Sequence, residues 1–127
     1  MLLSREKIVL LLFILVFNNV FVLSQTKTDS LLSKLKHINN DTSKVALFHQ
    51  LYVIYKSTDL FKAQEYAEKQ LFLSRNLKYQ FGIAQAYKNI GLIYHKKGDY
   101  SNAMHYYKLS LELKLKINDQ KGQSITY

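Results

Sequence analysis

The chain contains no cysteine, no proline and no tryptophan, and only four glycines in 127 residues. Without cysteine there is no disulfide frame, no thiolate metal site and no cysteine nucleophile. The absence of proline suits a chain made mostly of helices, because proline breaks helix interiors. The length gives room for one modest domain and excludes a catalytic domain joined to a separate sensor.

Residues that would carry catalysis or hold a cofactor are too scattered to form a site. The four glycines are explained by repeat turns and packing, so the chain has no glycine-rich phosphate loop. The histidines show no metal-binding pattern and are interpreted as surface residues: His37, His49, His95 and His105. The sequence therefore predicts a non-catalytic chain without cofactor or metal, and any catalytic domain would lie beyond residue 127.

The N-terminus has the features of a secretory signal peptide. A short basic start precedes a ten-residue apolar run at residues 8–17, and the sequence predicts cleavage between Ser24 and Gln25. The alternative is an uncleaved membrane anchor, but residues 8–23 are fewer than the roughly 20 apolar residues that a spanning helix needs. We therefore predict a signal peptide at residues 1–24 and an exported chain, periplasmic or otherwise extracytoplasmic. A membrane-anchored chain is the alternative.

Acidic residues are half as numerous as basic ones. Lys and Arg total 18 against nine Asp and Glu, which gives a formal charge of +9. Such an excess favours acidic partners or a negatively charged membrane face, but charge spread as single residues is also typical of a solvated surface. We expect no nucleic-acid partner, because only the net charge supports one and export argues against it. A stripe of tyrosines is better explained as core than as a base-stacking platform: Tyr52, Tyr55, Tyr87, Tyr94 and Tyr107.

The pattern of residues 87–111 predicts two helical segments on either side of a turn at residues 98–100. Small, apolar and aromatic residues recur there at helical spacing: Tyr87, Ile90, Gly91, Tyr94, Ala103, Tyr107 and Leu111. Six residue pairs also repeat at an offset of 40: Ala63 and Ala103, Leu71 and Leu111, Leu73 and Leu113, Leu77 and Ile117, Gly82 and Gly122, and Tyr87 and Tyr127. Self-similarity at such a period indicates a stacked repeat architecture.

This order and spacing resembles the tetratricopeptide repeat, a helix–turn–helix unit that stacks on copies of itself. Gly91 and Ala103 match the repeat's places for small residues, which let two helices approach closely. The offset exceeds the roughly 34 residues of the standard unit, so the chain resembles the longer-period variety. The resemblance implies an all-α fold, a tetratricopeptide-type α-solenoid of antiparallel helix pairs after the signal peptide.

The resemblance divides the exported part of the chain into a cap and repeat copies. We expect an N-terminal capping helix and linker at residues 25–42 and a first copy at residues 43–81. A second copy follows at residues 82–121, and residues 122–127 are the start of a truncated third copy. Terminal repeats are commonly atypical and serve as caps.

The first copy is weaker than the second. Tyr52 stands where the second copy has its helical glycine, and the turn is one residue shorter, although Asp59 can cap the helix that follows it. Residues 109–117 alternate apolar and polar, which by period alone indicates a strand. We nevertheless predict a helix, because Leu, Glu and Lys are strong helix formers. The extra length of each copy is expected near the loops at residues 75–81 and 115–121.

In tetratricopeptide proteins the first helix of each pair lines a concave groove that holds peptides. The resemblance therefore implies a groove lined by seven residues: His49, Val53, Lys56, Lys88, Leu92, His95 and Lys96. Lysine mixed with aliphatic side chains would suit a protein or peptide with acidic and apolar residues, and ordinary solvated lysines are the alternative. Lys88 and Asn89 resemble carboxylate-holding residues of some tetratricopeptide domains. Val53 and Leu92 stand where further polar groups would be expected, so that activity is not implied.

Two classes of function fit these features. The first is an exported adaptor that assembles proteins through the groove. The second is the N-terminal sensor part of a bacterial two-component histidine kinase, which the order of signal peptide, short helix and longer-period repeats resembles. In that arrangement more repeats, a membrane helix and a kinase domain follow. A membrane contact is expected only through an uncleaved anchor or such a downstream segment.

The unfinished third copy indicates a fragment of a longer gene product. If the chain is complete, one face of its last helix would be uncovered, namely the apolar face with Tyr107, Leu111 and Leu115. An exposed apolar patch of this kind favours association. The complete chain would then self-associate through that face.

Overall fold

A computed structural model describes residues 2–125, with side chains up to Lys121. Within this part of the chain all regular structure is helical, which confirms the predicted all-α class. The helices are α1 (Arg5–His37), α2 (Thr42–Tyr55), α3 (Leu60–Asn76), α4 (Gln80–Lys96) and α5 (Tyr100–Ile125). The chain forms two compact units, Met1–Lys36 and His37–Tyr127.

Helix α1 makes up most of the first unit. It is long and apolar enough to cross a membrane, a property that a signal sequence near the N-terminus shares. The helix continues without a break through Ser24 and Gln25, so the predicted leader and the predicted capping helix form one element. Polar side chains in this region bond back to the helix itself; for example, the Thr28 hydroxyl donates to the Ser24 carbonyl at 3.0 Å. Cleavage after Ser24 stays a prediction.

The second unit contains helices α2 to α5. Helix α2 packs on α3, α4 packs on α5, and α3 contacts α4 between the two pairs. Three aspartates begin these helices, because each accepts a backbone N–H from two or three residues further on at 2.8–3.1 Å: Asp41, Asp59 and Asp99. Asp59 and Asp99 start the second helix of each pair 40 residues apart, as the repeat predicts.

Helix α5 confirms one prediction and corrects another. Residues 109–117 are helical despite their alternating pattern, as predicted. The prediction of a loop at residues 115–121 is wrong, because α5 continues through these residues to Ile125. The physical reason is that four residues of this segment are strong helix formers, Leu115, Lys116, Gln120 and Lys121, and that residues 99–121 contain no glycine or proline. The side chains at residues 122–127, the predicted start of a third copy, lie outside the described residues.

The two turns inside the helix pairs differ in the way they end the first helix. After α4, Gly98 has φ +78° and the Asp99 N–H reaches back five residues to the Tyr94 carbonyl, at 3.0 Å. After α2, the Asp59 N–H bonds to the Tyr55 carbonyl four residues back, at 2.8 Å. The first turn is therefore one residue shorter, as predicted, and it has no left-handed residue that would need glycine.

Close packing within the second helix pair depends on Gly91. A Cβ atom there would lie 2.7 Å from a ring carbon of Tyr107 and 3.3 Å from the carbonyl of Ala103, so only glycine fits. The first pair exchanges the sizes of the equivalent positions: Tyr52 replaces Gly91, and Ala67 replaces Tyr107. Tyr52 is 2 % exposed and Ala67 is completely buried.

The tyrosine stripe is only partly core. Tyr52 is buried, whereas the other four are half-buried: Tyr55, Tyr87, Tyr94 and Tyr107. Tyr55 stacks on Tyr66 with ring centroids 5.8 Å apart, and Tyr94 stacks on Tyr106 at 5.5 Å. These matching pairs confirm that Tyr55 and Tyr94 occupy equivalent places in the two copies.

Candidate functional site

The seven predicted groove residues lie on or directly after the first helix of each pair. On α2 and its C-cap, His49 is half-buried, Val53 is 43 % exposed and Lys56 is exposed. On α4, Leu92 is half-buried and three residues are exposed: Lys88, His95 and Lys96. Val53 and Leu92 give these two helices aliphatic surface beside the lysines. We call the seven residues together the candidate groove.

His49 is the centre of the charged part of the candidate groove. Its ring stacks on Tyr52, with centroids 6.0 Å apart. Burial lowers the pKa of His49 below its usual 6.5, and the ammonium groups of Lys56 and Lys88 add to the effect, while the amide oxygen of Gln70, which can accept from a protonated ring, opposes it. The structure thus brings two of the predicted lysines close enough to His49 to disfavour its charged form.

Lys96 joins the two copies at the end of the candidate groove. Its ammonium group donates a hydrogen bond to the backbone carbonyl of Lys56, the residue that caps the C-terminus of α2. A cation at this end of a helix is favourable, because the unpaired carbonyls there carry partial negative charge. Lys96 therefore helps to hold α4 against α2, and a ligand would have to share its charge with that contact.

His95 contacts the neighbouring helix. Its ring meets the ring of Tyr100, the first residue of α5, edge to face with centroids 5.3 Å apart. Tyr100 is itself 65 % exposed. His95 therefore lies where the candidate groove meets the turn between α4 and α5, and its contact with Tyr100 adds an aromatic surface there.

Beside the candidate groove lies a buried polar chain that the sequence analysis missed. Gln70 is completely buried and Asn89 is 3 % exposed. The amide nitrogen of Asn89 lies 3.0 Å from Oε1 of Gln70 and 3.0 Å from Nδ1 of His49. Nε2 of Gln70 donates to Oε1 of Gln85 at 3.0 Å and faces the Gly82 carbonyl at 3.4 Å. We call this chain the amide relay; it links α2, α3 and α4.

One sequence signal could have identified the relay. Gln70 follows Ala63 and Ala67 by seven and three residues and precedes Ser74 by four, so it lies on the small-residue face of α3. A long polar side chain on a face of small buried residues needs an internal hydrogen-bond partner. The partners themselves come from α2 and α4, and no spacing along the chain specifies them.

Several basic side chains outside the candidate groove make cation–π contacts with aromatic rings. The charged groups of four basic residues lie 5.0–5.8 Å from tyrosine ring centroids: Lys62, Lys69, Arg75 and Lys97. Arg75 also donates to the Tyr87 hydroxyl at 2.9 Å. Part of the net charge therefore stabilises contacts within the chain.

The last helix exposes an apolar face. Leu111 is 57 % exposed and Leu115 is 55 % exposed, and Met104, seven residues before Leu111, is 57 % exposed. Spacings of seven and four residues place the three side chains on one side of α5. We call them the α5 face; Tyr107, which was predicted to lie on this uncovered face, is half-buried and packs against Gly91. At the equivalent position of α3, Leu71 is half-buried.

The chemistry of the candidate groove is that of binding. It offers ammonium groups, an imidazole, amides and aliphatic surface, and among the residues that the structure describes no three histidine or carboxylate side chains group together as a metal site requires. Among the described side chains, the charged groups that act on the pKa of His49 are the ammonium groups of Lys56 and Lys88, whereas a general base is usually oriented by a carboxylate.

Comparison with protein families gives one match. Residues 84–114 match the family model of the tetratricopeptide repeat. The match covers most of α4, the turn at Gly98 and the first half of α5. It confirms the predicted repeat for this stretch and supports a tetratricopeptide repeat protein; such repeats generally mediate protein–protein interactions and are typically non-catalytic. Comparisons with curated proteins and with solved structures gave no match.

Proposed function

We propose that this chain is an exported protein–protein interaction module that binds an acidic, partly apolar peptide segment in the candidate groove. The observation that carries the proposal is that Lys88 directly precedes Asn89, which lies 3.0 Å from the half-buried His49, and that Lys56 follows His49 by two helical turns, beside the exposed aliphatic surface of Val53. Positive groups next to apolar surface recognise a segment that alternates acidic and apolar residues, because each kind of ligand side chain meets its complement.

Peptide binding is tested with synthetic peptides of equal length and equal leucine content that differ only in carrying glutamate, lysine or serine. We expect the glutamate peptide to bind most tightly, with an affinity that falls as salt is added. Lys88→Glu should weaken that binding by about tenfold, since one lost ion pair of this kind is worth roughly 1.4 kcal/mol. Lys116→Glu is the matched control, because it makes the same charge change on an exposed part of α5.

Two results would contradict peptide binding in the candidate groove. One is that the lysine or serine peptide binds as tightly as the glutamate peptide. The other is that Lys88→Glu and Lys116→Glu weaken binding equally, because the effect would then come from net charge and not from the groove.

Export is part of the same proposal. It is supported by the apolar N-terminal half of α1, whose side chains at residues 8–17 are all exposed. When the full chain is expressed in a bacterial host, we expect the periplasmic fraction to contain a chain that begins at Gln25, as read by mass spectrometry. An intact chain in the membrane fraction would support the anchored alternative, and an intact chain in the cytosol would refute export.

A second candidate, the sensor part of a histidine kinase, predicts the same export and the same groove. It differs only in what would follow the repeats. The DNA sequence beyond the codon for Tyr127 distinguishes the two: an open frame with a membrane segment and kinase motifs supports the receptor, and a natural stop codon supports the adaptor.

A second surface extends the proposed set of partners. Helix α5 has the place in the second pair that α3 has in the first pair. Helix α3 is packed against α4 within the chain, whereas the α5 face is exposed. Its exposed leucines therefore suit contact with another helix, and a second copy of this chain is the proposed occupant if no further repeat follows.

A further inference from the structure

The hydrogen-bond donors and acceptors of the amide relay can be assigned, because one end of the relay is a backbone carbonyl. The Gly82 carbonyl can only accept a hydrogen bond, so the Gln70 group that faces it, at 3.4 Å, must be the NH₂ group. The Gln70 oxygen is then turned towards Asn89 and accepts from its NH₂ group at 3.0 Å. The amide orientations of the two buried side chains follow from this network.

The same assignment of donors and acceptors determines which ring nitrogen of His49 carries the proton. The NH₂ group of Asn89 also lies 3.0 Å from Nδ1 of His49, so that nitrogen must accept and cannot carry a proton. A neutral imidazole has one proton, which is then on Nε2. Because the ring is only half-buried, the Nε2–H group is the hydrogen-bonding group of His49 that remains for the candidate groove.

We propose that the amide relay holds His49 as the neutral Nε2–H tautomer and thereby makes it a hydrogen-bond donor to the ligand. The acceptor that it selects is a carboxylate or peptide carbonyl oxygen, placed between the ammonium groups of Lys56 and Lys88. This inference rests on the proposed peptide binding for the identity of the ligand, but the tautomer is a property of the free protein.

The groups that face His49 agree with this assignment. Lys56 follows it on α2, Lys88 faces it from α4, and Tyr52 stacks on its ring. Both ammonium groups disfavour an imidazolium ion, whereas Gln70, on α3, offers only an amide oxygen. A proton on Nδ1 would also compete with the Asn89 NH₂ group for that oxygen, and the relay would lose a bond.

The tautomer is measured by ¹⁵N NMR of the full chain in detergent micelles, with histidine labelled in the ring. We expect the Nδ1 signal of His49 at the position of an unprotonated ring nitrogen and the Nε2 signal at the position of a protonated one, at neutral pH. The other three histidines serve as references in the same spectrum. A protonated Nδ1 in the wild-type chain would overturn the proposal.

Asn89→Asp tests the relay itself with almost no change in shape. The new carboxylate has no hydrogen to donate, so Nδ1 of His49 should become the donor, and the ring should keep a proton to higher pH. Asn76→Asp is the control, because it adds the same charge at an exposed position on α3. An unchanged His49 tautomer in a folded Asn89→Asp chain would overturn the relay, and the wild-type spectrum decides the question if that variant does not fold.

The contact with ligand is tested by adding the glutamate peptide to the labelled wild-type chain. We expect the Nε2 proton of His49 to shift as the peptide binds. Binding without any change at Nε2 would overturn the donor role. Absence of binding would refute the proposed function. The spectrum of the free chain would still test whether the amide relay fixes the His49 tautomer.

Discussion

At the scale of single residues, the two helix pairs differ in which helix holds the large side chain and which holds the small one. The second pair places its large side chain, Tyr107, on the second helix against Gly91, whereas the first pair has its large residue, Tyr52, on the first helix and a small one, Ala67, at the position equivalent to Tyr107. The glycine was predicted from its place in the repeat. The exchange of sizes was not, because it depends on which side chains meet across a helix pair.

This packing predicts that Gly91→Ala destabilises the chain. Alanine in a helix normally gains about 1 kcal/mol over glycine, but the new methyl group would press on the Tyr107 ring, and overpacking of this kind costs about 1–3 kcal/mol. In a Tyr107→Ala background the contact is gone, so the same change should become neutral or stabilising. Urea unfolding of the four chains measures the difference, and an equal effect of Gly91→Ala in both backgrounds would refute this reason.

His49 should make stability depend on pH. Its pKa is lowered in the folded chain, mainly by burial, so the unfolded chain binds more protons as the pH falls below its usual value of 6.5. The contribution is complete above that value and is lost as the pH falls through the lower folded-state pKa. Between about pH 7 and about pH 5, wild type should therefore lose more unfolding free energy than His49→Gln, which cannot titrate. Chemical denaturation at the two pH values measures this, and parallel losses would contradict it.

At the scale of helices, two C-termini use the same left-handed turn with different residues. Gly98 follows α4 with φ +78°, and Lys78 follows α3 with φ +53°. The Tyr79 N–H returns to the Ser74 carbonyl at 2.8 Å, just as the Asp99 N–H returns to Tyr94. Glycine accepts this conformation without strain, whereas a residue with a side chain does not.

Lys78→Gly should therefore stabilise the chain by about 0.5–1 kcal/mol, because the relief of about 1–2 kcal/mol of strain is partly offset by the greater freedom of glycine in the unfolded state. Lys56→Gly is the matched control at the end of α2, where φ is −56° and glycine relieves nothing. Thermal unfolding compares both variants with wild type. A gain in both, or in neither, would show that backbone conformation is not the cause.

The helices were predictable from sequence where side chains act locally. Asp59 was expected to cap α3 and does so, because a capping side chain bonds to a backbone N–H only three residues away. The continuous α1 and the long α5 were not expected. Polar residues that favour a helix end, such as Thr28, bond back into α1, and nothing near residues 115–121 terminates α5.

At the scale of the whole molecule, the α5 face predicts self-association. Leu111→Glu combined with Leu115→Glu should abolish a concentration-dependent dimer, since two charges would be buried in the contact. Phe61→Glu is the control, because Phe61 is an apolar residue on α3 that is even more exposed, at 82 %. Sedimentation in density-matched detergent measures the assembly state. A wild-type monomer at every concentration, or equal loss of the dimer in the control, would contradict a contact through this face.

The candidate groove was predictable only as a set of positions. Family resemblance placed Lys88 and His49 on the first helix of each pair, and the structure places Asn89, the residue after Lys88, 3.0 Å from His49. The state of His49 was not predictable, because it depends on Gln70 and Asn89, which reach it from two other helices. A hydrogen-bonded chain across three helices exists only once those helices have packed.

The exchange of large and small side chains between the pairs also affects how the chain folds. Repeat proteins risk misassembly, because a helix of one copy resembles its counterpart in another. If α5 took the place of α3 beside α2, Tyr52 and Tyr107 would compete for one space, and if α3 took the place of α5 beside α4, Gly91 would meet the small Ala67 and leave a cavity. Each first helix therefore fits its own second helix best, so the sizes of four side chains guide a repetitive chain to the correct pairing.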